Sequence, residues 1–194
     1  MLTIIGLGNP GARYAGTRHN AGFMGVERLR EKLGAGRFKN QKKGWFSSAL
    51  YEGAPCRIAG KEALLVKPLT FMNESGRAAS ALAPETGESL IAIHDDLDLR
   101  FGTIRVKRGG GDGGQKGVRS LIAHLETDDF VRLRIGVGHE EKAAEAADFV
   151  LSPFDGKEQE ALSALLDRAC EAVEAVAAEG VTAAMNRFNG KSAP

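Results

Sequence analysis

Cysteine is scarce in this chain of 194 residues: Cys56 and Cys170 stand isolated and widely spaced. That spacing excludes a disulfide framework and the paired thiolates of a metal site. The two read as packed thiols in a reducing cytoplasm. Long apolar runs are missing as well. No stretch approaches the length of a membrane span, and Gly6 and Gly8 interrupt the N-terminus before it could act as a signal peptide. Internal repeats, linkers and low-complexity segments are absent. What remains is ordinary for a soluble globular protein, with 43% hydrophobic and 26% charged residues. The length suits a single domain over residues 1–194 and is short for two.

Excess charge is also lacking, since the net value is +1, but the average conceals an asymmetry. Residues 1–48 carry Arg13, Arg18, Arg28, Arg30, Lys32, Arg37, Lys39, Lys42 and Lys43 against only Glu27 and Glu31. Residues 100–119 add Arg100, Arg105, Lys107, Arg108, Lys116 and Arg119 against Asp112, whereas residues 140–180 are mostly acidic. Such a dipole suits a polyanionic partner met with one face. A solvated surface is the plainer alternative.

Along the chain, Leu2 to Leu7 reads as a buried strand. Helical spacing of Phe23, Met24, Val26, Leu29 and Leu33 follows from Ala21, and Gly34 is a natural stop. Gly36 to Gly44 reads as a basic loop and Trp45 to Tyr51 as a strand. Cys56 to Ala59 and Ala63 to Val66 form a hairpin turning at Gly60-Lys61. A helix is expected over Glu74 to Leu82, with Asn73 placed to be its N-cap. Leu90 to Ile93 is a short strand ending in His94-Asp95-Asp96. Thr103 to Arg108 is another strand, followed by the glycine-rich loop 109–114 and a helix over Gln115 to Leu125. This last unit is similar to a phosphate cradle with free N–H groups at a helix start. It is not a Walker loop, because Gln115-Lys116-Gly117 stands where Gly-Lys-Ser/Thr is required. Val131 to Val137 is a central strand, Ala143 to Phe149 a short helix, Glu158 to Ala178 a long amphipathic one, and Val181 to Phe188 a last turn or two before a frayed tail. Strands alternating with helices predict an α/β fold, with a mixed, mostly parallel sheet flanked by helices on both faces.

The chemistry gathers in residues 5–20. An apolar strand end passes through Gly6, Gly8, Pro10 and Gly11 and delivers Asn9, Tyr14, Arg18, His19 and Asn20 into one polar loop. Gly6-Leu-Gly8-Asn-Pro-Gly11 fits the dinucleotide spacing G-x-G-x-x-G, but residues 12–20 are polar where an apolar helix should open, so that motif lacks its context. Of the histidines, His124 reads as bland, His94 as structural, and His139 as either. His19 differs. With an acceptor on one ring nitrogen it can take a proton from water on the other, and Asp95, at a strand end, is the best candidate to orient it. No serine or cysteine nucleophile stands at matching positions, so direct attack by water follows. No metal-ligand spacing appears, and an ester carbonyl needs none.

Read together, Gly6-Leu-Gly8-Asn9-Pro10-Gly11, Tyr14 and Thr17-Arg18-His19-Asn20-Ala21-Gly22 form a long and specific string. It resembles the N-terminal signature of bacterial-type peptidyl-tRNA hydrolase. The resemblance continues through Thr70-Phe71-Met72-Asn73, Gly76, His94-Asp95-Asp96-Leu97-Asp98, Gly109-Gly110-Gly111 and Arg132 to His139, ending around Phe188. It implies cleavage of the ester between a peptide and the terminal ribose of tRNA, by a cytoplasmic enzyme without cofactor or metal; a monomer is expected. His19 would be the base and Asp95 its partner. Asn9 and Asn73 would bind the peptide end and hold the water or the developing oxyanion, and Tyr14 and Met72 would shape the cleft. Arg105, Lys107 and Arg134 fall where the family sets basic groups against acceptor-stem phosphates, which position the substrate without reading sequence. One departure stands out: Gln115-Lys116-Gly117 replaces the usual His-Asn-Gly, and Lys116 cannot accept a hydrogen bond as an amide does. A catalytically weak RNA-binding relative and a nucleotide-binding α/β protein are the alternatives.

Overall fold

In the computed structural model, which describes residues 1–41, 50–139 and 146–190, the apolar run Leu2–Gly6 forms strand β1, buried at every position. Two 3-10 turns, Ala12–Tyr14 and Arg18–Asn20, lead into helix α1, Ala21–Lys32. Strands β2 (Lys39–Gln41), β3 (Tyr51–Ile58) and β4 (Lys61–Pro68) follow, then a 3-10 turn (Met72–Glu74) and helix α2, Ser75–Leu82. Next come β5 (Gly87–Arg100), β6 (Ile104–Arg108), α3 (Lys116–Leu125) and β7 (Phe130–Gly138). Helices α4 (Ala146–Leu151), α5 (Gly156–Glu179) and α6 (Val181–Phe188) complete the described chain.

Among the described residues the strands make one sheet of seven, in the order β2-β3-β4-β1-β5-β7-β6. The central four, β4, β1, β5 and β7, run parallel, and the outer pairs β2/β3, β3/β4 and β6/β7 are antiparallel. This is the expected mixed α/β sheet. Buried on both faces, β1 and the first half of β5 read as continuous apolar runs, whereas β7 alternates apolar residues with Arg132 and Arg134. On one face Ile4, Ile91, Ile93, Leu133 and Ile135 pack under α1, α5 and α6 through Val26, Leu29, Leu165, Val173 and Phe188. On the other, Ile5, Leu7, Val66, Leu90 and Ala92 pack under α2 and α3 through Ala79, Val118 and Leu121.

Several expectations shift. Lys39–Gln41, read as loop, is an edge strand paired with β3; three exposed polar residues carry no apolar period by which to see it. Residues 45–49 and 143–145 of the expected strand and short helix lie outside the described residues, as do residues 191–194 of the tail. Strand β5 does not end before His94. Its pairing with β7 carries on through Asp95 and Asp96 and, beyond a register shift, reaches Arg100 opposite Gly138, so both acids belong to the strand. Asn73 is not the N-cap of α2: Glu74 holds that position without a side-chain bond. The 3-10 turn before it supplies the entry instead, with Glu74 N–H donating to the Phe71 carbonyl and the Ser75 hydroxyl to the Met72 carbonyl.

Candidate active site

Two glycines bring the polar loop onto the strand ends. A Cβ on Gly6 would lie 2.3 Å from the Gly22 carbonyl oxygen, and one on Gly22 would lie 2.3 Å from that of Ile93. Only residues without side chains let the start of α1 press against β1 and β5 this closely. The contact seats the turn Arg18–Asn20 beside β5 at Ile93 to Asp95.

There His19 meets Asp95. Its Nδ1 lies 2.8 Å from Asp95 Oδ2, the imidazole 12% exposed and the carboxylate 3%. A carboxylate can only accept, so Nδ1 carries the proton and Nε2 is left as a bare acceptor. The other Asp95 oxygen, Oδ1, accepts from Gln115 Nε2 at 2.8 Å. Gln115 also reaches the Met72 sulfur at 3.4 Å. The Met72 N–H donates to Asn9 Oδ1 at 2.9 Å. Asn9 in turn is held by Asn20, which accepts from its N–H at 2.8 Å and donates to its carbonyl at 3.1 Å. Asn20 is the chain neighbour of His19, so the circuit closes on itself. Because the Met72 N–H fixes Asn9 Oδ1, the Asn9 Nδ2 donor is turned away from that contact and has no protein partner among the described residues.

The expected residues therefore divide. Asn9, His19, Met72 and Asp95 share the circuit. Asn73 is exposed beside Met72, and its side chain makes no hydrogen bond among the described residues. Tyr14 is half-buried on the same loop under the guanidinium of Arg13, 4.6 Å from its ring. Lys116 is exposed at the first position of α3. Sequence reasoning missed Gln115 as a member. Its one local signal was the N-cap position before α3, whose Gly117 and Val118 N–H groups it accepts at 2.5 and 2.9 Å.

That cap also overturns the phosphate cradle. Gln115 takes the N–H groups at the start of α3, while Asp128 accepts from Gly110 and Asp112 from Gly114. Arg132 grips the loop from beneath through the carbonyls of Gly110 and Gly111. The loop is bound to its own protein, with φ positive at Gly109, Gly110, Gly113 and Gly114.

A basic face lies alongside. Arg105 is paired in register with Arg134, and Lys107 with Arg132. Their strand neighbours Ile104, Val106, Leu133 and Ile135 enter the core under α5 and α6, so all four cations point to the opposite side of the sheet. Arg134 is ion-paired with Asp96. Arg105 and Lys107 have no ion-pair partner among the described residues, and Arg105 is exposed.

Next to His19, Arg18 is buried and donates to Glu158 at 2.5 Å, to the Ser152 hydroxyl at 2.6 Å and to the Pro153 carbonyl at 2.5 Å. Its guanidinium also lies 4.3 Å from the Phe149 ring. Loss of one partner from so buried a pair costs about 3–5 kcal/mol, so Arg18 ties the turn Arg18–Asn20 to α4 and α5. His139, Asp155 and Glu158 bring ligand-type atoms within 4.8 Å of one another. Glu158 is already engaged by His139, Arg18 and the Asp155 N–H, and the arginine charge opposes a cation there. A cleft of about 740 Å³ shares Asn9 and Asn20 with the circuit but is not lined by His19, Asp95 or Gln115. No described helix is long and apolar enough to cross a membrane.

Known proteins resemble this chain in sequence and in fold. The peptidyl-tRNA hydrolase family model matches residues 3–194. A peptidyl-tRNA hydrolase of Chloroflexus aggregans is 46% identical, covering 97% of this chain and 99% of the relative. One of Rubrobacter xylanophilus is 47% identical over 97% of this chain and 100% of its own. The crystal structure of peptidyl-tRNA hydrolase from Acinetobacter baumannii superposes with a TM-score of 0.86 at 35% identity, covering 100% of this chain and 97% of that one. With the fold, the loop and the nearly full-length identity in agreement, this chain belongs to the peptidyl-tRNA hydrolase family.

Proposed function

We propose that the chain hydrolyses the ester linking a peptide, or an N-blocked aminoacyl group, to the 3′ end of tRNA, with water activated by His19. The observation that carries the reading is the His19–Asp95 contact at 2.8 Å, in which Nδ1 is held and Nε2 is left to accept. Nε2 takes a proton from water as the water oxygen bonds to the ester carbonyl carbon. The resulting oxyanion is met by amide donors, for which Asn9 Nδ2 and the exposed Asn73 are the candidates. The carbon–oxygen bond to ribose then breaks, and the imidazolium returns its proton to the ribose oxygen. Asp95 stabilises that imidazolium and keeps the tautomer correct. On this reading Tyr14 and Met72 shape the wall where the substrate sits beside His19, rather than the larger cleft near Asn9.

Arg105 and Lys107, with Arg134 behind them, meet the tRNA phosphates, and Lys116 draws in the 3′-terminal nucleotides. Such contacts position without reading sequence, which suits an enzyme that frees tRNA for reuse whatever its anticodon. The other reading, a catalytically weak RNA-binding relative, rests on Gln115-Lys116; against it, a chain kept only as a binder would more readily have lost His19 or Asp95, and the two are in contact. The deciding assay is release of free tRNA from N-blocked aminoacyl-tRNA, with and without chelator. Release at equal rates is expected. Tight tRNA binding without detectable hydrolysis decides for the binder.

A further inference from the structure

We propose that Gln115 is a positioning residue of the reaction: its carboxamide fixes the Asp95 carboxylate and thereby sets the orientation and basicity of His19. The proposal rests on the reading of His19 as the base. Its geometry leaves no freedom in the amide. Oε1 accepts two N–H groups from the start of α3, at 2.5 Å from Gly117 and 2.9 Å from Val118. Nε2 is therefore the atom facing Asp95 Oδ1 at 2.8 Å and the Met72 sulfur at 3.4 Å. Every donor and acceptor position of this 9% exposed side chain is directed by a partner.

Capping α3 does not by itself account for a glutamine. Serine, threonine, aspartate and asparagine serve that position better, and a longer side chain loses more rotamer freedom when ordered. The added length is what reaches Asp95. There the donor satisfies Oδ1 of a buried carboxylate that has no other donor among the described residues. It also draws charge from the carboxylate and so moderates its pull on the His19 Nδ1 proton. One side chain thus ties the start of α3, the Asp95 position of β5 and the catalytic turn into a fixed triangle. The replacement of the family's histidine at this position leaves a donor that cannot titrate.

Serine at position 115 separates the two roles, since its hydroxyl can cap α3 but is too short to reach Asp95. Gln115→Ser is expected to unfold near the parent midpoint. Its saturated turnover should fall on the order of 10- to 100-fold, the range for outer residues that orient a functional imidazole, with KM little changed. The acid limb of its pH–rate profile should move to higher pH, because Asp95 without its donor pulls harder on the imidazolium. Gln115→Met, close in shape but without the amide, should show the same displacement together with a lower unfolding midpoint; if the serine variant does not fold, this profile decides. Parent turnover and an undisplaced profile in Gln115→Ser would reduce Gln115 to a helix cap and overturn the proposal. A rate loss without displacement overturns it too. His19→Ala in the same assay keeps the two readings apart. Parent-rate hydrolysis by that variant condemns the base assignment, whereas its inactivity beside an unaffected Gln115→Ser condemns the positioning role alone.

Discussion

Arg105 lies directly opposite Arg134 across the antiparallel pair of β6 and β7. Like charges so placed destabilise a sheet by a few tenths of a kcal/mol up to about 1 kcal/mol. Arg134 offsets this through Asp96, next in sequence to the carboxylate that holds His19, while Arg105 and Lys107 remain available to an external anion. Arg105→Ala and Lys107→Ala should therefore weaken tRNA binding about equally for different tRNAs, each lowering the log–log salt slope by roughly 0.7–0.9. Arg134→Ala, whose guanidinium is already paired with Asp96, should lower the slope less than either. A short ester substrate without the tRNA body should be hydrolysed alike by parent, Arg105→Ala and Lys107→Ala. Loss of activity on it would move these residues into the chemical site.

His19→Ala should lower hydrolysis by about 10²–10⁴-fold, the usual range for loss of a general base, with the fold retained. Asp95→Asn should do similar but smaller damage, by letting the imidazole take the wrong tautomer. Single-turnover rates on N-blocked aminoacyl-tRNA measure both, and parent-like rates for the alanine variant would refute the assignment.

Lys116 places a cation at the start of α3, where the helix dipole disfavours it by about 0.3–1 kcal/mol. If it serves by charge, Lys116→Asn should weaken binding and flatten its salt dependence while saturated turnover stays near the parent value. Turnover well above the parent would instead mark Lys116 as an obstruction.

Stability should fall on acidification before the carboxylates titrate, and His94 is the reason. It is buried, with Nδ1 2.7 Å from the Asp95 carbonyl, which can only accept, and with Nε2 lacking a partner among the described residues. Burial pushes its pKa down, with Arg134 adding to the effect. The sign follows from that direction. Above the ordinary histidine value of about 6.5 neither state is protonated there and the contribution is constant. Below it the unfolded chain takes up a proton that the folded chain refuses, so stability falls by up to about 1.4 kcal/mol per pH unit. Asp112, Asp129 and Asp167, held low by arginine hydrogen bonds, lose their contribution only as pH falls further, from about 4 downward. Urea unfolding from pH 7 to 5 should show a shallower decline in His94→Asn than in the parent. Equal slopes would remove His94 from the account.

Much of this protein is written locally. The apolar run of β1, the alternation of β7, the 3.6-residue period of α1 and α5, and the glycine-bounded loop around Asn9 and His19 each follow from neighbouring residues, because burial imposes its period on short stretches of chain. The pairing of His19 with Asp95 was legible too, since polar residues that follow the apolar runs of adjacent parallel strands fall on one side of an α/β sheet. The rest depended on the third dimension. Lys39–Gln41 is a strand only because β3 offers an edge, and β5 runs past its apolar stretch because β7 continues to pair with it. Arg132 and Arg134 differ in office though they share a face: one is consumed by the glycine-rich loop and the other by Asp96. In sequence Gln115 was a departure beside Lys116. In the fold it bridges a helix end and a carboxylate twenty residues away, since hydrogen-bond partners are settled by which strand ends adjoin, and that order, β1-β5-β7, is fixed only when the whole sheet has formed.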